Sequence, residues 1–441
     1  MLTRLVVVRP GEGRALVWSF AYFFCLLAGY YVLRPLRDEM GIAGGVKNLQ
    51  WMFTATFLVM LAAVPVFGAV VAKLPRRRFI PLVYQFFVVN IAIFWLLLTL
   101  DVARQDVARV FFVWISVFNL FAVSVFWSFM ADLFSSEQGK RLFGFIAAGG
   151  SAGALLGPSI TVALAGVLGP VNLLVVAAVL LELAVLCARQ LESHAPVSAS
   201  PVPATAPTAQ AGSMQNAGQG LGGSWLAGLA FIARSRYLAG IALWVVLLSL
   251  AGTFLYFQQA NIVAAASNDP AVRTRIFATI DLVVGVLTII VQCLATGRLI
   301  TRFGVGRAAA VLPLVFAIGF LVLAWSPALL VVIAFQAMQR TANFALSNPA
   351  REVMFTVLGR EEKYKSKNVI DVVVFRGSDA LWGWAFAGLR AAGLELSTLS
   401  LATVPLAGVW FALALWLGRG QERRASTDDV GAQARQEARA G

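Results

Sequence analysis

The chain is poor in the groups that most enzymes use. One histidine and three cysteines occur in 441 residues, and only 13% of the residues are charged, where a soluble domain carries roughly a quarter. His194 falls in a polar linker, and Cys25, Cys187 and Cys293 sit in apolar runs without ligand spacing. That leaves no His/Cys metal cluster and no histidine-based triad, and the cysteines read as small packing residues. No G-x-x-x-x-G-K-[ST] sequence is present, so a phosphate-loop ATPase is excluded as well. Neither an enzyme nor a resident cofactor is expected.

Apolar residues, in contrast, make up 60% of the chain, and the mean hydropathy is +0.81. Runs of about 20 such residues predict twelve membrane-spanning helices, at 15–33, 51–72, 79–100, 108–131, 143–167, 170–188, 238–260, 276–297, 308–325, 327–348, 369–389 and 397–418. The first is long enough to span and lacks a following small-residue cleavage site, so it is expected to be retained. Residues 193–224 are rich in Ala, Pro, Ser and Gly and read as a flexible linker. The domain scheme is therefore a six-helix bundle over 1–192, the linker, a second bundle over 225–418 and a basic tail over 419–441. The net charge of +14 comes mostly from Lys and Arg in alternate loops. That asymmetry predicts cytoplasmic N- and C-termini and a lipid bilayer as partner rather than a nucleic-acid polymer. A multi-pass monomer in a bacterial inner membrane is expected.

An internal repeat supports the two halves. GAVVAKLPRRR (68–78) and GRLITRFGVGR (297–307) follow the second helix of each half, each a glycine, a spacer and a basic cluster. Arg298, Arg302 and Arg307 of the second copy are gating candidates, since cations there can pair with acids of neighbouring helices or cap helix C-termini. This copy resembles the signature loop of the major facilitator superfamily. GGSAGALLGP (149–158) resembles that superfamily's fifth helix, and its small residues predict close approach to a neighbouring backbone.

Charge inside an apolar run is costly, about 2.5–3.5 kcal/mol at the bilayer centre on insertion scales, so each case is a candidate for function. The first run ends in YYVLRPLRDEMG, with Arg34, Arg37, Asp38 and Glu39; Asp281 lies in the eighth, Arg340 beside Gln336 and Asn343 in the tenth, and Asp371, Arg376 and Asp379 in the eleventh. Arg34 and Arg37 are three apart on one helix face and make either an anion clamp or an interfacial girdle in which Arg37 pairs with Asp38 or Glu39. Arg376 and Asp379 share that spacing and can neutralise each other. Arg340 lacks an acid within one turn, leaving Asp281 or Asp371 to reach it in the fold. Glu182 is a lone acid, tolerated or paired. FFVWISVFNLFAVSVFWSF (111–129) reads as core and lipid-facing material, with Asn119 as its one strongly polar break.

YYVLRPLRDEMG resembles the first-helix signature of the ATP:ADP antiporter family, the nucleotide transporters of plastids and intracellular bacteria, with Arg37 and Asp38 at its basic and acidic positions. SNPAREVMFTVLGREEKYKSKNVIDVVVFRGSD (347–379) resembles a second family motif, with Arg351–Glu352, then Lys365, Lys367 and Asp371 in a K-x-K-x-x-I-D run, and Arg376 downstream. Phe126–Trp127 and EQGKRLFGF (137–145) fit the same family. Two positions differ. Arg37 stands where the family has lysine, and residues 108–131 contain no carboxylate where the family's exchangers carry one, the nearest being Asp132.

The resemblance implies a facilitator-type secondary transporter, two six-helix bundles working by alternating access on a small anionic solute, a nucleotide above all. Its polyphosphate needs several cations. Arg34, Arg37, Arg340, Lys365, Lys367 and Arg376 are the candidates, with Asn119 as a polar contact; Asp38, Asp281, Asp371 and Asp379 join the three loop arginines as coupling or gating candidates. A facilitator for another organic anion or a drug, or a membrane scaffold or sensor that transports nothing, are the alternatives.

Overall fold

A helix satisfies its own backbone within hydrocarbon, which is why long apolar runs fold as helices there. The computed structural model describes residues 9, 12–73, 76–194 and 225–440, and the regular elements among them are all helical. In chain order they are α1 (Glu12–Ala43), α2 (Leu49–Lys73), α3 (Arg76–Thr99), α4 (Arg104–Leu133), α5 (Ser136–Leu168), α6 (Leu173–His194), α7 (Trp225–Arg234), α8 (Arg236–Ala266), α9 (Pro270–Val291), α10 (Gly297–Trp325), α11 (Leu329–Ala342), α12 (Asn348–Met354), α13 (Arg360–Asn368), α14 (Phe375–Ala391) and α15 (Leu396–Ala440). Three π-helical turns, Gln292–Thr296, Asn343–Ser347 and Val369–Val374, join α9 to α10, α11 to α12 and α13 to α14. Among the described residues, ten helices are long and apolar enough to cross a membrane.

Several boundaries differ from expectation, each for a local reason. YYVLRPLRDEMG does not follow the first helix but forms its last three turns, because Pro35 costs only the hydrogen bond to the carbonyl one turn earlier while its neighbours stay packed. α6 runs to His194, so the histidine assigned to the linker lies at a helix end; the remainder of that linker, 195–224, is outside the described residues. The basic loop at 297–307 is helical on both sides of a single break at Gly304, whose φ of 81° is a left-handed conformation that glycine adopts without strain. The side chains of its first copy lie outside the described residues. The stretch 419–441, expected as a tail, continues α15 as far as Ala440. Cys25 and Cys187 are buried as packing residues, whereas Cys293 is exposed in a π turn and packs no core.

The chain divides into two compact units. One comprises the described residues of 1–219 together with 263–285; the other comprises those of 220–262 together with 286–441. α9 therefore begins in the first unit and ends in the second.

In the first unit, α1 is the central element and packs on α4, α5 and α6. The glycines of GGSAGALLGP make the α1–α5 contact possible: a Cβ on Gly157 would lie 2.6 Å from the carbonyl oxygen of Ala28 and 2.7 Å from Cβ of Tyr31. Where α1 meets α4, the Phe23 and Phe126 rings stack at 4.2 Å, and the Tyr22 hydroxyl donates to Tyr84 (2.7 Å), which donates to the carbonyl of Ala122 (3.0 Å). Phe111, Phe112, Phe118 and Phe126 are fully buried, so much of the aromatic stripe is core. The start of α5 is fixed by a reciprocal cap between Ser135 and Gln138. Gln138 and Arg141 then reach Glu12 at 3.0 Å each, tying EQGKRLFGF to the foot of α1.

In the second unit, α10 packs along α15, and Gly306 meets Gly418 so closely that a Cβ on Gly306 would lie 3.0 Å from the facing Cα. Trp244 and Trp410 make an edge-on contact at 5.7 Å. α8 bonds to α14 through Trp382 Nε1, which donates to the carbonyl of Val246 (3.2 Å).

Candidate functional site

The last turns of α1 carry the most concentrated charge in the first unit. Arg34 is partly exposed, with its Nε 3.8 Å from an Asp281 carboxylate oxygen on α9 and its guanidinium 5.6 Å from the centre of the Tyr31 ring. Arg37 lies over the Phe112 ring, with its guanidinium carbon 4.4 Å from the ring centre, and its buried Nε has no hydrogen-bond partner. Among the described residues no carboxylate forms an ion pair with Arg37. Glu39, one of the two acids considered for it, accepts two hydrogen bonds from Arg273 of α9, at 2.7 and 2.8 Å. Of the two acids considered for Arg37, Glu39 is therefore engaged elsewhere. The cause is geometric: Glu39 is buried on the side of α1 that meets α9, while Arg37 faces α4. Asp38 is half-buried in the same turn, and Asn119 is half-buried on α4.

In the second unit the intramembrane charges form pairs. Arg351 Nη1 lies 3.0 Å from Asp371, and Lys367 Nζ donates to both oxygens of Glu352 at 2.9 and 2.7 Å. Neighbours on α12 thus meet residues four apart in the K-x-K-x-x-I-D run, which is why that run tolerates its charges in a buried place. Lys365 is held by Glu361 at 2.6 Å. Arg376 approaches Asp379 at 3.5 Å, the spacing expected from sequence, and the other oxygen of Asp379 accepts a 2.6 Å hydrogen bond from Ser249. Arg340 is half-buried on α11 beside an amide chain in which Gln339 donates to Gln336 (2.7 Å) and Gln336 donates to Gln259. Of the acids considered for Arg340, Asp371 lies beside Arg351, and Asp281 approaches Arg34. Arg298, Arg302 and Arg307 are exposed and make no ion pair with a described residue; Arg302 leans on the Phe303 ring at 5.8 Å. Glu182, read as a lone acid, accepts hydrogen bonds from Gln85 at 2.8 and 3.0 Å.

The half-buried guanidinium groups of Arg34 and Arg37 in the first unit are equipped to bind an anion. The family comparison agrees. Residues 108–326 match the model of the TLC ATP/ADP transporters. The resemblance seen in YYVLRPLRDEMG is thereby borne out from a different part of the chain. No curated protein matches significantly. Among solved structures, a bacterial homologue of the iron transporter ferroportin gives a TM-score of 0.62 at 13% identity, covering 92% of this chain and 98% of that one. A bacterial homologue of the human lysosomal transporter Spinster gives 0.61 at 12%, covering 95% and 99%, and the nucleoside transporter NupG 0.57 at 14%, covering 94% and 99%. At these identities the likeness is one of fold, the all-α fold of major facilitator transporters. The chain is a membrane transporter and not an enzyme.

Two functional-looking features of this transporter were not read from the sequence. Arg273 was not singled out, and its partner Glu39 is 234 residues away, so no local spacing signals the pair. The amide chain through Gln259, Gln336 and Gln339 is likewise assembled across α8 and α11, although the polarity of each residue within an apolar run was a usable signal.

Proposed function

We propose that the chain is a secondary transporter of a phosphorylated anion, a nucleotide most of all, exchanging it across a bacterial inner membrane by alternating access through twelve spans. One observation carries the reading: Arg37 is a half-buried cation over the Phe112 ring, with a buried, unsatisfied Nε and no carboxylate ion pair among the described residues, one turn from Arg34. An unpaired guanidinium in a low-dielectric setting is costly unless an anion joins it. The ring contact holds the guanidinium in place, and its N–H groups can grip a phosphate bidentately. The TLC ATP/ADP family match supports a nucleotide as the source of that phosphate.

The test uses purified protein heated with ATP, ADP or adenosine, followed by exchange in liposomes. A ligand at 100 times its dissociation constant adds about 2.7 kcal/mol of stability. The expected result is stabilisation by ATP or ADP but not by adenosine, with counterflow of the same nucleotide. Stabilisation by none of them overturns the nucleotide reading, and an absence of any solute movement leaves a scaffold or sensor.

A further inference from the structure

In the first unit α3 and α6 run antiparallel, and two polar contacts mark their seam. At one end Trp95 Nε1 donates to Oδ1 of Asn172, just before α6 begins (3.1 Å). Ten residues along each helix, from 95 to 85 and from 172 to 182, Gln85 Nε2 donates to both carboxyl oxygens of Glu182 at 2.8 and 3.0 Å. At 1.5 Å per residue the second contact lies about 15 Å further in, half the depth of a hydrocarbon core about 30 Å thick, and both helices are long and apolar enough to cross such a core. Gln85 and Glu182 are half-buried. The residues three before, one after and four after each of them are apolar and exposed: Leu82, Phe86 and Val89 on α3, Val179, Leu183 and Leu186 on α6. The carboxyl group therefore sits at the edge of a lipid-facing stripe.

Among the described residues no Lys, Arg or His forms an ion pair with Glu182, and its hydrogen bonds come from the Gln85 amide. The other charges of α6 are Arg189, exposed and seven residues on, and Glu192; α3 has none after Arg78. α1 and α5 also pack on α6. α1 turns Gly29 toward Ala177, Leu180 and Leu181, and its nearest charge, Arg34, approaches Asp281. α5 has no charged residue after Arg141. The remaining titratable neighbours are Tyr84 and Tyr22, bonded to each other, Tyr30 beside Gly29, and buried Cys25 and Cys187.

We propose that Glu182 is a reversible proton site, its ligand a single proton that makes it a neutral carboxylic acid paired with the Gln85 amide. A carboxylate without a cation is costly in hydrocarbon, and the neutral acid is favoured there. An arginine or lysine in place of Gln85 would offer donors alone and hold the anion. A primary amide offers a donor and an acceptor, which match the carbonyl and the hydroxyl of a carboxylic acid in a two-bond ring. When the acid ionises, only the donor half of the amide stays in use. The site lies on α3 and α6, apart from the arginines of α1, so it stands independently of the nucleotide reading and gives the transporter a second ligand.

The test treats the parent protein, Gln85→Leu and Glu182→Gln in liposomes with dicyclohexylcarbodiimide, an apolar reagent for protonated carboxyl groups, over a pH series, and locates adducts by mass spectrometry of peptides. Exposed Glu137 and Asp106 are the internal references. At neutral pH Glu182 is expected to react at least about tenfold faster than either reference, and on the alkaline side its rate is expected to fall about tenfold per pH unit. Gln85→Leu removes the donor that serves the ionised form, so its labelling should persist to higher pH. A water-soluble carbodiimide should leave Glu182 unmodified. Infrared pH-difference spectra give a readout that needs no reagent access: the carbonyl stretch of a protonated carboxyl group should be present in the parent, fade at alkaline pH and be missing from Glu182→Gln. Absence of both the adduct and the stretch overturns the proposal. A rate and a stretch unchanged across the whole series also overturn it, since the acid is then permanently neutral, and modification of Glu182 by the water-soluble reagent as fast as of Glu137 overturns its lipid-facing place. Should Glu182→Gln not fold, the pH series on the parent and Gln85→Leu decides.

Discussion

Gly157→Ala tests the α1–α5 contact on which the first unit is built. The added methyl would lie 2.6 Å from the carbonyl oxygen of Ala28 and 2.7 Å from Cβ of Tyr31, against a comfortable separation of about 3.5–4.0 Å between carbon atoms. One of those atoms belongs to the backbone, so no rotamer change relieves it, and the helices must separate by about 1 Å. A radial gap of that size forfeits up to about half of each dispersion contact along the seam, and overpacking of this kind costs about 1–3 kcal/mol. Gly144 provides the control, because a Cβ there meets nothing within 4 Å on the same helix. Removing a glycine from an exposed helix interior stabilises by about 0.5–1 kcal/mol. Unfolding in detergent should therefore place Gly157→Ala below the parent and Gly144→Ala at or above it, the two differing by about 1.5–4 kcal/mol. Equal stabilities for the two variants would refute the reasoning that glycine sets the helix separation.

Glu39→Gln leaves Arg273 buried without its carboxylate and should cost about 3–5 kcal/mol in the same unfolding assay, with Glu39→Gln/Arg273→Gln recovering part of the loss. Arg302→Ala, at an exposed site in the basic segment with its break at Gly304, should slow liposome exchange while leaving ATP affinity within about twofold. Single cysteines at Ser193 and Ser267 in a background without Cys25, Cys187 and Cys293 should label from the cytoplasm and from outside respectively; labelling of both from one side contradicts the alternate-loop topology.

The sequence was most informative where one residue acts on its own backbone or its own helix. Gly149 to Gly157 announced a close helix approach because absence of a side chain is a local property, and the Arg376–Asp379 pair followed from a three-residue spacing. Fold class was legible for the same reason, as a sum of local apolar runs. The partners of Glu39, Asp281, Lys367 and Arg351 were not legible, since each is supplied by a different element and several acids competed for every arginine. The end of α1 was misplaced because Pro35 and four charges together look like a helix stop, while burial of Leu36, Glu39 and Met40 carries the helix through them.

The central claim is that Arg37 holds a phosphate, and the most direct measurement is the affinity of purified Arg37→Ala for ATP and for adenosine beside that of the parent. A charge-assisted contact contributes about 1.5–3 kcal/mol, so ATP binding should weaken roughly ten- to a hundredfold while adenosine binding stays unchanged and Arg37→Lys keeps part of the ATP affinity. Equal weakening of both ligands, or of neither, would contradict the account.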